Sequence, residues 1–168
     1  MRVETDSACP GCGVVLAPHD GPMHRYLDSS PACWALYGEV LAREYADPAF
    51  FALHRLTVDP YAVQHPGRPS PQTVQSAALY LISLHVVLER GVSFDEAARL
   101  LPRAARDKST YVWLEPPRTR GELTVAHVHA AQGVVDHLRR VRQWAECVWY
   151  AWADHHAQVR AWAQRLLD

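Results

Sequence analysis

The sequence predicts an all-α protein, a bundle of about five or six helices behind an irregular N-terminal arm. Three observations predict it. Helix starts of one kind recur at Ser30-Pro31, Asp47-Pro48 and Ser70-Pro71, each pairing a capping oxygen with a proline at the first helical position, where its missing N–H costs nothing. Val141, Trp144, Val148, Trp152, His155, Val159, Trp162 and Leu166 keep a three/four spacing over about six helical turns. Residues 1–30, punctuated by Pro10, Gly11, Gly13, Pro18, Gly21 and Pro22, keep no spacing at all.

A chain of 168 residues with 49% hydrophobic residues and six tryptophans is long enough to bury a real core as one domain. Net charge is −1 and Lys108 is the only lysine, which offers no bulk attraction to nucleic acid or anionic lipid. No apolar run approaches the ~18–20 residues that span a bilayer. The leading residues Met1 to Asp6 are polar and do not read as a signal peptide, so the expectation is a cytoplasmic protein. There, the four cysteines read as metal ligands or free thiols rather than disulfides.

The elements follow in order. Val14-Val15-Leu16 suits one short strand after a knuckle turn. Ser30-Pro31 opens a helix whose apolar positions are Trp34, Tyr37, Leu41 and Tyr45. Asp47-Pro48 opens a second through Leu56, Asp59-Pro60 restarts it, and His65-Pro66-Gly67 stops it. Ser70-Pro71 launches a helix over roughly 71–90 with Val74, Ala77, Ala78, Leu81, Ile82, His85 and Leu88 on its apolar face. Ser93 to Glu96 reads as a capping box for a helix reaching about Arg106. Residues 107–123 form a long loop, with Trp113 and Glu115-Pro116-Pro117 as either a lid or a rigid crossing segment. Thr124 caps a short helix holding His127 and His129, and after Gly133 one long helix is expected to the end.

The strongest chemical signal is Cys9-Pro10-Gly11-Cys12-Gly13. A two-residue spacer lets both sulfurs reach one ion, and the glycines let the backbone turn to present them. Cys33 follows in the first turn of a helix, where a thiolate gains from the helix dipole. Cys9, Cys12, His24 and Cys33 together make a closed Cys3His set for a structural Zn²⁺, with His19 competing for the fourth place. The metal clips an arm over residues 1–30 to a helical body over 31–168, packed as one unit. Cys147, far along the chain, reads as a buried inert thiol.

A second signal is the dense polar stretch His54 to Gly67. Asp59, His65 and His155 are its candidates for acid–base or metal-assisted chemistry, with His54, Tyr61, Gln64, Gln75 and His156 lining a pocket. The structural alternative makes Asp59 a helix cap and His65 and Gln64 mere partners of backbone groups. His155 and His156 point about 100° apart on a helix and do not easily share one ion.

Taken together, these segments resemble an uncharacterised bacterial family, a domain of unknown function. The resemblance rests on Cys9-Pro10-Gly11-Cys12, His24-Arg25-Tyr26, Ser30-Pro31-Ala32-Cys33-Trp34, Leu56 to Gly67, Trp113-Leu114-Glu115-Pro116-Pro117 and His155-His156. It spans nearly the whole chain and implies no activity. The sequence reading is therefore a zinc-binding helical protein with a polar small-molecule or metal pocket. A non-catalytic module that meets a partner protein through exposed tryptophans is the alternative, and nucleic-acid binding is the least supported.

Overall fold

The computed structural model describes residues 5–168, so residues 1–4, part of the polar leader, lie outside the described residues. The fold is all-α with one minimal sheet. Strands β1 (Ser7–Ala8) and β2 (Val15–Leu16) pair antiparallel, Ser7 opposite Leu16 and Ala8 opposite Val15, and flank the Cys9–Cys12 turn. The helices are α1 (Pro31–Ala46), α2 (Pro48–Phe51), α3 (Arg55–Gln64), α4 (Pro71–Leu88), α5 (Phe94–Ala104), α6 (Val125–His129), α7 (Gly133–Ala151) and α8 (His156–Leu167).

The helix starts follow cap chemistry. The hydroxyls of Ser30, Ser70 and Ser93 accept from the backbone N–H groups of Cys33, Thr73 and Glu96, and the Asp47 carboxylate accepts from Ala49. Each satisfies an amide that the helix leaves unpaired. Reciprocal capping boxes form between Ser70 and Thr73 and between Thr124 and His127. At Ser93 only the forward bond forms.

Helix α3 packs against α4 and α7, and α4 also receives α5 and α8. Seven of the ten residues of α3 are buried, Thr57, Asp59 and Gln64 among them. Two local expectations fail here. Helix α2 lasts one turn, and α3 runs through Pro60 without a restart. An interior proline removes a backbone bond and costs about 3 kcal/mol in isolation. Burial of Leu56, Tyr61 and Val63 at 1% exposure or less offsets it. Asp59 therefore caps nothing.

The C-terminal stripe is also interrupted. Helix α7 ends at Ala151, a 3-10 turn occupies Ala153–His155, and α8 leaves in a new direction. Trp144, Trp149 and Trp152 are all at 1% exposure or less. The break lets α7 serve α3 and α6 while α8 covers α4 and α5. His156 stabilises it, stacking on the Trp149 ring at 3.7 Å between centroids and donating from Nε2 to the Trp149 carbonyl at 2.8 Å. Trp34 and Trp113 are half-buried and the other four tryptophans buried, so no exposed tryptophan patch forms. Cys147 is half-buried, not fully buried. Among the described residues no helix is long and apolar enough to cross a membrane.

Helix α1 turns one position from its expected register. Tyr45 is 69% exposed and Glu44 is fully buried. Glu44 is completely partnered. Its Oε1 accepts from Thr57 Oγ1 at 2.5 Å and His137 Nε2 at 3.0 Å, and its Oε2 from His54 Nδ1 at 2.6 Å. The far nitrogens of both rings accept in turn, His137 Nδ1 from Arg43 and His54 Nε2 from Tyr45. Arg43 also donates to the Val128 and His129 carbonyls at the end of α6. One buried carboxylate thus joins α1, α3 and α7. Glu44→Ala strands two imidazole donors and a hydroxyl in the core, and urea denaturation should register a loss of about 3–5 kcal/mol.

Candidate metal centre

The β1–β2 turn presents two thiols. Cys9 N–H donates to the Val14 carbonyl at 2.8 Å and Gly13 N–H to the Cys9 carbonyl at 2.9 Å. Gly13, at φ +78°, takes the left-handed conformation that closes the turn. Ser30, the cap of α1, donates its N–H to Cys9 Sγ at 3.3 Å. Cys33 in the first turn of α1 brings its Sγ to 3.8 Å from Cys12 Sγ.

The fourth member comes from the end of α3. His65 Nε2 lies 3.5 Å from Cys33 Sγ. Its Nδ1–H donates to the Tyr61 carbonyl at 2.7 Å, which fixes the tautomer and leaves Nε2 bare as a ligand atom. One donor atom from each of Cys9, Cys12, Cys33 and His65 lies within 4.8 Å of all the others. Cys9, Cys33 and His65 are buried and Cys12 half-buried.

This group could hold a metal ion, and its dimensions fit one. Bond lengths typical of zinc put the edges of a tetrahedron at about 3.8 Å between sulfurs and about 3.6 Å between sulfur and nitrogen. The Cys12–Cys33 and Cys33–His65 separations match both. Hydrogen bonds from Cys12 and Cys33 pull the Cys9 thiol far below its ordinary value, while contact with Cys12 and Cys9 pushes Cys33 far above. Without an ion the Cys12 and Cys9 thiols favour the protonated His65 ring against its burial, holding it up to about 9, so an ion ligated at Nε2 displaces that proton. Packed thiols deprotonate together only when a cation neutralises them.

His24 stands apart from this group. Its exposed ring packs on Trp34 at 5.1 Å and accepts the Tyr26 N–H at Nδ1. His19 is exposed too. The fourth place belongs to His65 because α3 ends directly over the turn: a Cβ on Gly11 would lie 2.3 Å from the His65 ring and 2.9 Å from the Gln64 carbonyl.

The expected pocket does not assemble. Gln64 is fully buried and spends its amide on structure, accepting from Trp144 Nε1 at 2.9 Å and donating to the Arg120 and Leu123 carbonyls at 2.8 Å each. Gln75 donates to the Ala105 carbonyl. Tyr61 stacks on Tyr37 and places its hydroxyl 3.5 Å from Cys33 Sγ, and burial holds that phenol well above its usual range. His155 donates to the Glu115 carbonyl at 2.7 Å, so the Trp113–Pro117 segment is a crossing tied to the α7–α8 turn. Asp59, His65 and His155, expected to work together, are engaged in three separate places. Asp59 and His54 line a large cavity, and Tyr61 lines a smaller recess that shares Val58, Ser76 and Tyr80 with it.

An all-α fold carrying a buried Cys3His cluster defines a helical protein with a closed, ion-sized donor set. The model of a family of unknown function, DUF5946, matches residues 7–153, and the chain belongs to that family. No match was found among curated proteins or among solved structures.

Two measurements follow. Gly11→Ala should force the turn away from His65 and weaken metal binding at least tenfold, about 1.4 kcal/mol or more, in a chelator competition. The second concerns Asp59, whose carboxyl burial pushes up to about 7 from an ordinary 3.8, against the Ser83 hydrogen bond and Arg55. A raised carboxyl pKa means the folded state holds the proton longer than the unfolded one. Stability is then greatest below 3.8 and falls as pH rises toward 7. Asp59→Asn removes that cost, so its advantage over the parent in urea should grow by about 3 kcal/mol between pH 5 and pH 8.

Proposed function

We propose that Cys9, Cys12, Cys33 and His65 bind one Zn²⁺ as a structural centre that holds the N-terminal arm on the bundle. The observation that carries this is a Cys3His donor set within 4.8 Å, with the Cys12–Cys33 and Cys33–His65 separations at those of a zinc tetrahedron. Thiolate and imidazole select zinc over hard cations. Four protein ligands leave no open position for water or substrate, which suits a structural rather than a catalytic role. When bound, the ion neutralises the thiolates and cross-links three segments distant in sequence.

The chain's own residues prepare the site. Ser30 N–H orients the Cys9 sulfur, and the Tyr61 carbonyl aims the His65 ring. Arg120 braces the arm from outside. Its Nη1 donates to the Gly11 carbonyl at 3.1 Å, the Gln64 carbonyl at 3.0 Å and the Asp28 carboxylate at 3.0 Å. A segment as irregular as 5–30 has little apolar area of its own to bury, and a metal is the usual remedy.

Elemental analysis of the purified chain tests this. One zinc per chain is expected, lost in His65→Ala and retained in His24→Ala. Retention by His65→Ala with loss in His24→Ala overturns the ligand assignment. A parent protein that binds no zinc from buffered solution overturns the centre itself.

A further inference from the structure

Between the α2–α3 turn, α4 and α5 lies a cavity of about 710 Å³, within the size range of small-molecule sites. Its walls are mainly apolar, with Phe51, Leu79, Phe94 and Leu101 on three sides. It is separate from the metal cluster, none of whose four residues lines it.

Its charged groups are Arg55, Asp59 and the exposed Asp95, with the polar side chains of His54, Ser76 and Tyr80 beside them. Asp59 is fully buried, and its Oδ2 accepts from the Ser83 hydroxyl. Its Oδ1 has no hydrogen-bond partner. Arg55 Nη1 stands 3.7 Å from that oxygen, too far for a hydrogen bond, and donates to Ser83 Oγ at 3.3 Å instead. An orphaned buried acceptor costs about 1–3 kcal/mol, and such costs are tolerated where a ligand will supply the donor. Asp95 adds a second carboxylate. One guanidinium therefore faces two acids. His54 contributes no free donor, because its Nδ1–H is given to Glu44.

We propose that this cavity binds a small primary amine with an aromatic or branched aliphatic body, its ammonium hydrogen-bonded to Asp59 Oδ1. An ammonium supplies the donor that Oδ1 lacks, whereas a carboxylate would bring a further acceptor against Asp59 and Asp95. The neighbouring surroundings agree. Val58, Ser76 and Tyr80 also form the wall of an adjoining recess of about 200 Å³ that contains Trp34, Tyr37 and Tyr61, and aromatic faces attract cations and repel anions. Arg55, with its side chain 25% exposed, has water to move into as the ammonium arrives. The carboxyl raised by burial is then drawn back to its charged form by its new partner.

The test uses the full, zinc-loaded chain and three matched probes, phenethylamine, 2-phenylethanol and 3-phenylpropionate, in calorimetric and NMR titrations. Phenethylamine should saturate at millimolar concentration, shift the resonances of Phe94 and Leu79, and bind about tenfold or more tighter than 3-phenylpropionate. Asp59→Asn, which removes the carboxyl group and keeps the shape, should weaken the amine about tenfold or more. Leu79→Trp, which fills the cavity and leaves Asp59 in place, should abolish binding while zinc content and helical circular dichroism stay unchanged. Equal or tighter binding of 3-phenylpropionate, undiminished affinity in Asp59→Asn, or no saturable phenethylamine binding overturns the proposal. Zinc content, read in the same samples, reports on the metal centre independently.

Discussion

A helix buried on most of its surface must find a partner for each polar group it carries, and α3 is organised by that requirement. Thr57 gives its hydroxyl to Glu44, Asp59 takes one from Ser83, and Gln64 satisfies an indole and two loop carbonyls. His65, just past the helix end, turns one nitrogen back to Tyr61 and the other to the thiols. Apolar burial supplies the driving force, but these bonds fix which neighbour α3 meets and in what register. The metal cluster, the Glu44 network and the Asp59 cavity are three outcomes of that single constraint, distributed along about three turns of chain.

The two buried carboxylates answer it differently. Glu44 receives three donors from three directions and behaves as a fastening. Asp59 receives one donor for two oxygens and sits, fully buried, in the wall of a cavity also lined by Phe94 and Leu101. A protein under selection for stability alone has simpler residues for such a place, and unsatisfied buried groups gather where a fold serves something besides itself.

What the sequence made legible was local. Ser30, Asp47 and Ser70 announce their helices because a cap acts on amides two or three residues away. Cys9 and Cys12 announce a turn for the same reason. Cys33 is legible because few other thiols compete for the site. His65 was visible as a reactive residue but not as a ligand of that site. It sits 32 positions from Cys33, and only the packing of α3 on its neighbours decides that it, rather than the nearer His24, reaches the sulfurs. Glu44 escaped notice because a one-position rotation of α1 exchanges it with Tyr45. The break after Ala151 carries no glycine or proline to mark it. It separates α7, which packs on α2, α3, α4 and α6, from α8, which packs on α4 and α5.

Arg120 ties these distant segments together, reaching a carbonyl 109 positions earlier in the chain. During synthesis the thiols leave the ribosome first, their imidazole partner emerges dozens of residues later, and the guanidinium that braces the knuckle comes later still. The knuckle therefore stays incomplete until His65, and then Arg120, have been made. An ion held by all four side chains can be captured only after α3 has been made and folded against the turn.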